Sequence, residues 1–136
     1  MAAVIVASSS ATVRREVIAA IDVGDAEIIE QASGADVIES VVRRKDVVLV
    51  IADLQMKNMG AVAVCFELRL QESYGALEHV SVLMLLDRAA DEFQASRCDA
   101  EAWLIKPVDP MALRSSVRQI LREPSTGDLD IATASS

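Results

Sequence analysis

Short runs of consecutive apolar residues alternate along this chain with stretches whose apolar residues recur every three or four positions. Residues 3–7 form an apolar run, followed by the polar Ser8, Ser9 and Ser10. Over residues 12–21, Val13, Val17, Ile18 and Ile21 share one helical face. Residues 27–31, with Ile28 and Ile29, predict a weaker strand at a sheet edge. Val37, Ile38, Val41 and Val42 predict a helix over 35–44. The run 47–52 is apolar throughout, as a strand covered on both faces should be. A helix over 59–70 carries Val62, Phe66 and Leu70, and a polar connection with Gly75 follows over 73–78. A second fully apolar strand, 80–86, leads to a short charged helix over 89–97. Residues 103–105 make a short strand that stops at Lys106-Pro107. The last helix, 110–121, opens on Pro110, whose missing N–H suits a first turn, and aligns Leu113, Val117, Ile120 and Leu121.

Five strands alternating with five helices predict an α/β fold. The expected form is a doubly wound (βα)5 five-stranded parallel sheet, flavodoxin-like in architecture, with helices on both faces. Sites in such sheets lie beyond the carboxyl ends of the strands, where the strand order reverses. The residues there are Ser8, Ser9 and Ser10, then Asp53, Leu86, Asp87 and Lys106.

Composition narrows the function. The 136 residues suffice for one domain, and a 52% hydrophobic content with only 3% aromatics calls for an aliphatic core. A net charge of -8 excludes a general phosphate-backbone binder, so no nucleic acid partner is expected. The apolar runs are too short to span a bilayer. Cys65 and Cys98 are read as free thiols of a reducing compartment, which places the chain in the cytoplasm. Residues 1–122 are expected to form the domain, and 123–136 a flexible acidic tail or linker stub.

Three segments carry a family likeness. They are Asp53-Leu54-Gln55-Met56, the run Val82-Leu83-Met84-Leu85, and Trp103-Leu104-Ile105-Lys106-Pro107. Together they resemble the CheY-like receiver domain of bacterial response regulators, and the likeness runs from Val4 to about Leu121. It implies phosphorelay signal transduction in a two-component system. By that likeness Asp53 matches the phosphoacceptor, Lys106 the lysine that pairs with the phosphoryl group, and Trp103 the aromatic switch position. The Lys106–Pro107 bond is expected to be cis.

The departures from that family carry as much information. Ser8 and Ser9 stand where the family has a metal-binding acidic pair, and Leu86 stands where it has a hydroxyl. Met56-Lys57 replaces the Met-Pro of the loop after the phosphorylation site, and Ala61, with Gly60 beside it, takes the small-residue position. An ordinary site sets three carboxylates against one lysine, about -2, which Mg2+ neutralises. Asp53 and Lys106 alone sum to zero. The expectation is therefore a degenerate receiver, not an enzyme, with an Asp53–Lys106 ion pair and no Mg2+ or other cofactor. Asp87 is the one acid placed to compensate.

Such a chain would act as a phosphorylation-independent protein-interaction module. Its partner would be another protein, a histidine kinase or a second copy, met through the fourth helix, fifth strand and fifth helix. Phe93, Trp103 and Met111 are the anchors there, with Arg114 and Arg118 on the rim. Two rival readings stay open. One is a working phosphoacceptor at Asp53. The other is a small flavodoxin-like ligand-binding protein using the serine loop, although glycine and flavin-stacking aromatics are missing. Ser10 or Thr12 is expected to cap the first helix, and His79 is read as a surface loop residue.

Overall fold

A computed structural model describes residues 2–122. The tail expected over 123–136 lies outside the described residues. The elements run β1 (Ala3–Ala7), α1 (Ala11–Ala20), β2 (Glu27–Gln31), α2 (Gly34–Arg44), β3 (Val47–Asp53), α3 (Ala61–Ser73), β4 (Ser81–Leu86), α4 (Glu92–Arg97), β5 (Ala102–Ile105) and α5 (Pro110–Arg122). The five strands form one sheet in the order β2-β1-β3-β4-β5, and every neighbouring pair is parallel. This is the doubly wound α/β architecture expected from the alternation.

The three central strands show why an apolar run makes a buried parallel strand. Alternate side chains of β1 enter opposite cores. Ala3, Ile5 and Ala7 join Val37, Val64, Leu68 and Met84 on the face of α2, α3 and α4. Val4 and Val6 join Val17, Leu49, Leu83, Leu113 and Val117 on the face of α1 and α5. Both faces are covered, so no polar alternation is needed. One exception is Val48 at the amino end of β3, which is exposed.

Helix starts follow local hydrogen bonding. Ser10 caps α1 by accepting from the Val13 N–H, and Ser33 caps α2 by accepting from the Asp36 N–H. The expected start of the third helix at residue 59 is corrected to Ala61. There Gly60 lies against the Leu54 carbonyl, and a Cβ on it would sit 2.4 Å from that oxygen. The Ala61 N–H donates to the same carbonyl, which sets the helix entry. The charged helix expected over 89–97 splits into a 3₁₀ turn, Ala89–Asp91, and the six-residue α4. Asp91 is buried there and accepts from the Arg88 N–H at 2.9 Å. Among the described residues no helix is long and apolar enough to cross a membrane.

Candidate functional site

The strand order reverses between β1 and β3, and their register pairs Ala7 with Ala52. The next residue on each strand is therefore Ser8 and Asp53, side by side at the carboxyl end. Both are buried, Asp53 at 5% exposure and Ser8 at 1%. Pairing of Leu86 with Ile105 brings Asp87 and Lys106 to the same end.

Both carboxylate oxygens of Asp53 are engaged. The Ser8 hydroxyl donates to Oδ2 at 2.8 Å, and the Lys106 ammonium donates to Oδ1. Lys106 also donates to Asp87 Oδ1 at 3.1 Å. The Ser8 oxygen accepts in turn from the Ser10 N–H at 3.0 Å. Burial works against the charge on Lys106, but the hydrogen bonds to Asp53 and then Asp87 outweigh it and hold its pKa above the ordinary lysine value. The Lys106–Pro107 peptide is cis.

Ser8 and Ser9, paired in sequence, part company in space. Ser9 is exposed and faces the neighbouring loops, where its hydroxyl donates to the Ala32 carbonyl at 3.0 Å and accepts from the Lys57 N–H at 2.9 Å. It thus ties the loop after β1 to the loops after β2 and β3, where Ser33 and Lys57 form a parallel bridge. Leu86 is buried in the core under α2, α3 and α4. Trp103 is half-buried against that same core, and its indole N–H donates to Glu92 on α4 at 3.0 Å.

Cys98 sits in the turn that caps α4 and is buried, and the Cys65 thiol donates to its carbonyl at 3.0 Å. One expectation needs correcting. Arg114 does not face β5, because it reaches across to Asp22 beyond the end of α1, at 3.5 Å. His79 is half-exposed yet held on both ring nitrogens, by Glu72 at 3.1 Å and Glu101 at 2.7 Å. Arg69 completes that network with bonds of 2.8 Å to Glu72 and 2.9 Å to Glu101. It lies at the amino end of β4, away from Asp53. No spacing rule links its members, which lie up to 32 residues apart.

With this geometry in hand, known proteins can be set beside it. No protein-family model matches the chain. The chemotaxis response regulator CheY4 of Vibrio cholerae superposes with a TM-score of 0.73 at 22% identity, covering 88% of this chain and 98% of that one. The signal receiver domain of a histidine kinase from Syntrophus aciditrophicus gives a TM-score of 0.76 at 20% identity, over 93% of this chain and 97% of that one. The chain has the receiver fold. In sequence, a probable transcriptional regulator, ycf27, of Porphyridium aerugineum is 26% identical over 121 residues. The match takes in 88% of this chain, which spans about half (48%) of that relative. Within the receiver fold, Asp53 at the end of β3 and Lys106 at the end of β5 stand together beyond the strand-order reversal.

Proposed function

We propose that this chain is a receiver module of two-component signalling that works as a protein-interaction domain without phosphorylation of Asp53. One observation carries the reading: Asp53 is pinned by Ser8 on one oxygen and by Lys106 on the other, and Lys106 is shared with Asp87. Each oxygen keeps a second lone pair, so what attack on phosphorus lacks here is a cation free to meet the charge that develops. Here the nearest cation is already neutralised by Asp53 and Asp87.

The residues present do not fit Mg2+. That ion wants several hard oxygens in an octahedral shell. The Lys106 ammonium stands between the two carboxylates, takes an oxygen of each and repels a second cation there, and among the described residues no three His, Cys, Asp or Glu side chains converge into a metal site. Leu86 has no hydroxyl to give a phosphoryl group, so a phosphorylated state would lack that contact to distinguish it from the resting one. The flavodoxin-like alternative is weakened by the same loop. Ser8, Ser9 and Ser10 each spend their hydroxyl on the protein.

The contact surface we assign to this module is that of α4, β5 and α5. Phe93 and Met111 stand 67% and 75% exposed there, and Trp103 lies half-buried beneath. Large side chains displayed this way make interface anchors. The test is incubation with a small phosphodonor and Mg2+, read by intact mass, with sedimentation of the same samples. Wild type and Asp53→Asn should show no adduct and the same association state. A stoichiometric phosphoryl adduct on wild type, absent from Asp53→Asn, would establish a working phosphoacceptor instead.

A further inference from the structure

Four of the five α-helices show solvent at least two exposed charged residues each, and α3 shows none. Its exposed residues are Ala63, Phe66, Leu70 and Ser73, with Tyr74 at the cap. Phe66, Leu70 and Tyr74 follow one another at four-residue spacing and so form one stripe. Of only four aromatic residues in the chain, two stand there facing water, Phe66 at 52% and Tyr74 at 74% exposure. The charged residues of α3 turn elsewhere. Arg69 and Glu72 belong to the network at the amino end of β4, on the flank toward β5, and Glu67 accepts from Gln71 at 2.9 Å. A helix apolar on its outer as well as its inner side has the pattern of a covered helix.

Beside the stripe runs α2. Its Ser40 and Arg44 reach Gln31 and Glu27 on β2, so the opposite flank, with Val42, turns toward α3. Val42 is exposed and widens the apolar patch. Along the outer side of α2 the charge changes sign: Asp36 and Glu39 come first, Arg43 follows, and Lys45 stands at the cap. Glu39 and Arg43 are both exposed and lie 3.5 Å apart, one turn from each other. As crossover helices between parallel strands, α2 and α3 run in the same direction. Gly34, at the start of α2, lies against Met59, just before α3. The middle of the stripe therefore stands about level with the Glu39–Arg43 pair.

We propose that the α2–α3 face is a self-association surface, and that its occupant is a second copy of this chain, related by a two-fold axis that crosses α3 between Phe66 and Leu70. Such an axis lays the two α3 helices antiparallel, stripe on stripe. Phe66 then meets the second copy's Leu70, and the Tyr74 ring meets the small Ala63. The same axis sets the two α2 helices against each other in reverse, so the acidic first half of each faces the basic second half of the other. Glu39 meets the second copy's Arg43, and Arg43 the second copy's Glu39. This charge pattern selects the occupant: a partner of one sign would match only half of α2, whereas the reversed copy matches all of it. The face is small, since helices of 11 and 13 residues are only about 16–20 Å long. A weak dimer, with a dissociation constant of about 10–100 µM, is therefore expected. The face is distinct from that of α4, β5 and α5, and it does not depend on whether Asp53 accepts a phosphoryl group.

Sedimentation velocity of the full chain, from about 5 to 500 µM, tests the proposal across the affinity range of a small interface. The expected result is a reversible monomer–dimer equilibrium with no larger species. Leu70→Lys, at an exposed position, should weaken the dimer about tenfold or more, whereas Phe93→Lys on α4 should leave it unchanged. Arg43→Glu sets like charges face to face and should weaken it about fivefold, and adding Glu39→Arg to that variant should restore the wild-type affinity. Circular dichroism checks that each variant folds. A chain that stays monomeric throughout the range overturns the proposal, as does a dimer that Leu70→Lys leaves intact or that Phe93→Lys abolishes. Species that keep growing with concentration would mean an open, head-to-tail contact and overturn the two-fold axis. A double charge reversal as weak as Arg43→Glu alone would overturn the antiparallel arrangement.

Discussion

Each end of the parallel sheet carries a network of four polar side chains, and the two are built on opposite plans. At the carboxyl end, Ser8, Lys106 and Asp87 gather around Asp53, a buried carboxylate. At the amino end of β4, Glu72, Glu101 and His79 gather around Arg69, whose side chain is 16% exposed. Arg69 also donates to the carbonyls of Val80 and Asp99, while Glu101 accepts from the Val82 N–H. The amino-end network therefore sews backbone to backbone. The carboxyl-end network holds one side chain in a place where the fold exposes chemistry. The difference is between a clasp, which needs every member, and a site, whose members spend each other's reactivity.

The largest test of that contrast is Lys106→Met. It leaves Asp53 buried with one oxygen unpaired, and should cost about 1–3 kcal/mol in urea unfolding. Replacing Asp53 and Lys106 together by apolar residues should restore most of the loss, so a double-mutant cycle should show strong coupling. A coupling near zero would mean that the pair contributes nothing to the fold. Arg69→Met comes next, at about 2 kcal/mol, because it leaves two carboxylates facing each other and two carbonyls unpaired. In the clasp no second substitution should rescue it: adding Glu101→Gln should leave the protein nearly as unstable as Arg69→Met alone. A full rescue would make the two ends equivalent.

The sheet was legible in the sequence because buried parallel strands leave the plainest pattern of all, runs such as 47–52 and 80–86. From strand order alone the carboxyl ends bring Ser8, Asp53 and Lys106 together, and the charge count at once suggests that the lysine pairs with the aspartate. What stayed hidden depends on contacts between residues far apart. Ser9 reads as the twin of Ser8, and only the twist of the chain after β1 turns it toward Ala32 and Lys57. Arg114 could face either neighbour of α5 until Asp22, 92 residues away, is seen beside it. The start of α3 moves by two residues because Gly60 packs on a carbonyl six positions earlier, which periodicity does not encode.

The two serines give a smaller test. Ser8→Ala removes a hydroxyl that bridges Asp53 and the Ser10 N–H, inside the protein, and should cost about 1 kcal/mol. Ser9→Ala acts at the surface and should leave global unfolding almost unchanged. Its effect should appear in amide hydrogen exchange, faster at Lys57 and its neighbours, since that N–H loses its acceptor. Equal behaviour of the two variants would mean that the serines act as one loop and that their separation in space has no energetic meaning.

The smallest effect expected is in pH dependence, and it separates the two ends by window. At the clasp, the hydrogen bond that the His79 ring donates to Glu101 raises the His79 pKa above its ordinary 6.5, against the opposing effect of burial, and the one to Glu72 adds to the rise. A group whose folded pKa is raised gives stability that is fully present below the unfolded value and fades as pH climbs through the folded one. The clasp should therefore weaken as pH rises above 6.5 and through the higher folded value. Because the ring is half-exposed, solvent screening keeps the loss to about 0.5 kcal/mol or less. Lys106 is also shifted upward, but from 10.5, so the lysine keeps its charge across the range in which His79 titrates. Thermal unfolding of wild type and His79→Gln at steps from pH 6 to 8.5 measures the difference. The two should diverge at the acid end of the range, with wild type the more stable, and converge toward the alkaline end. The same comparison for Lys106→Met should give a constant gap, and a gap that changes with pH across this range would show that the carboxyl end titrates there too.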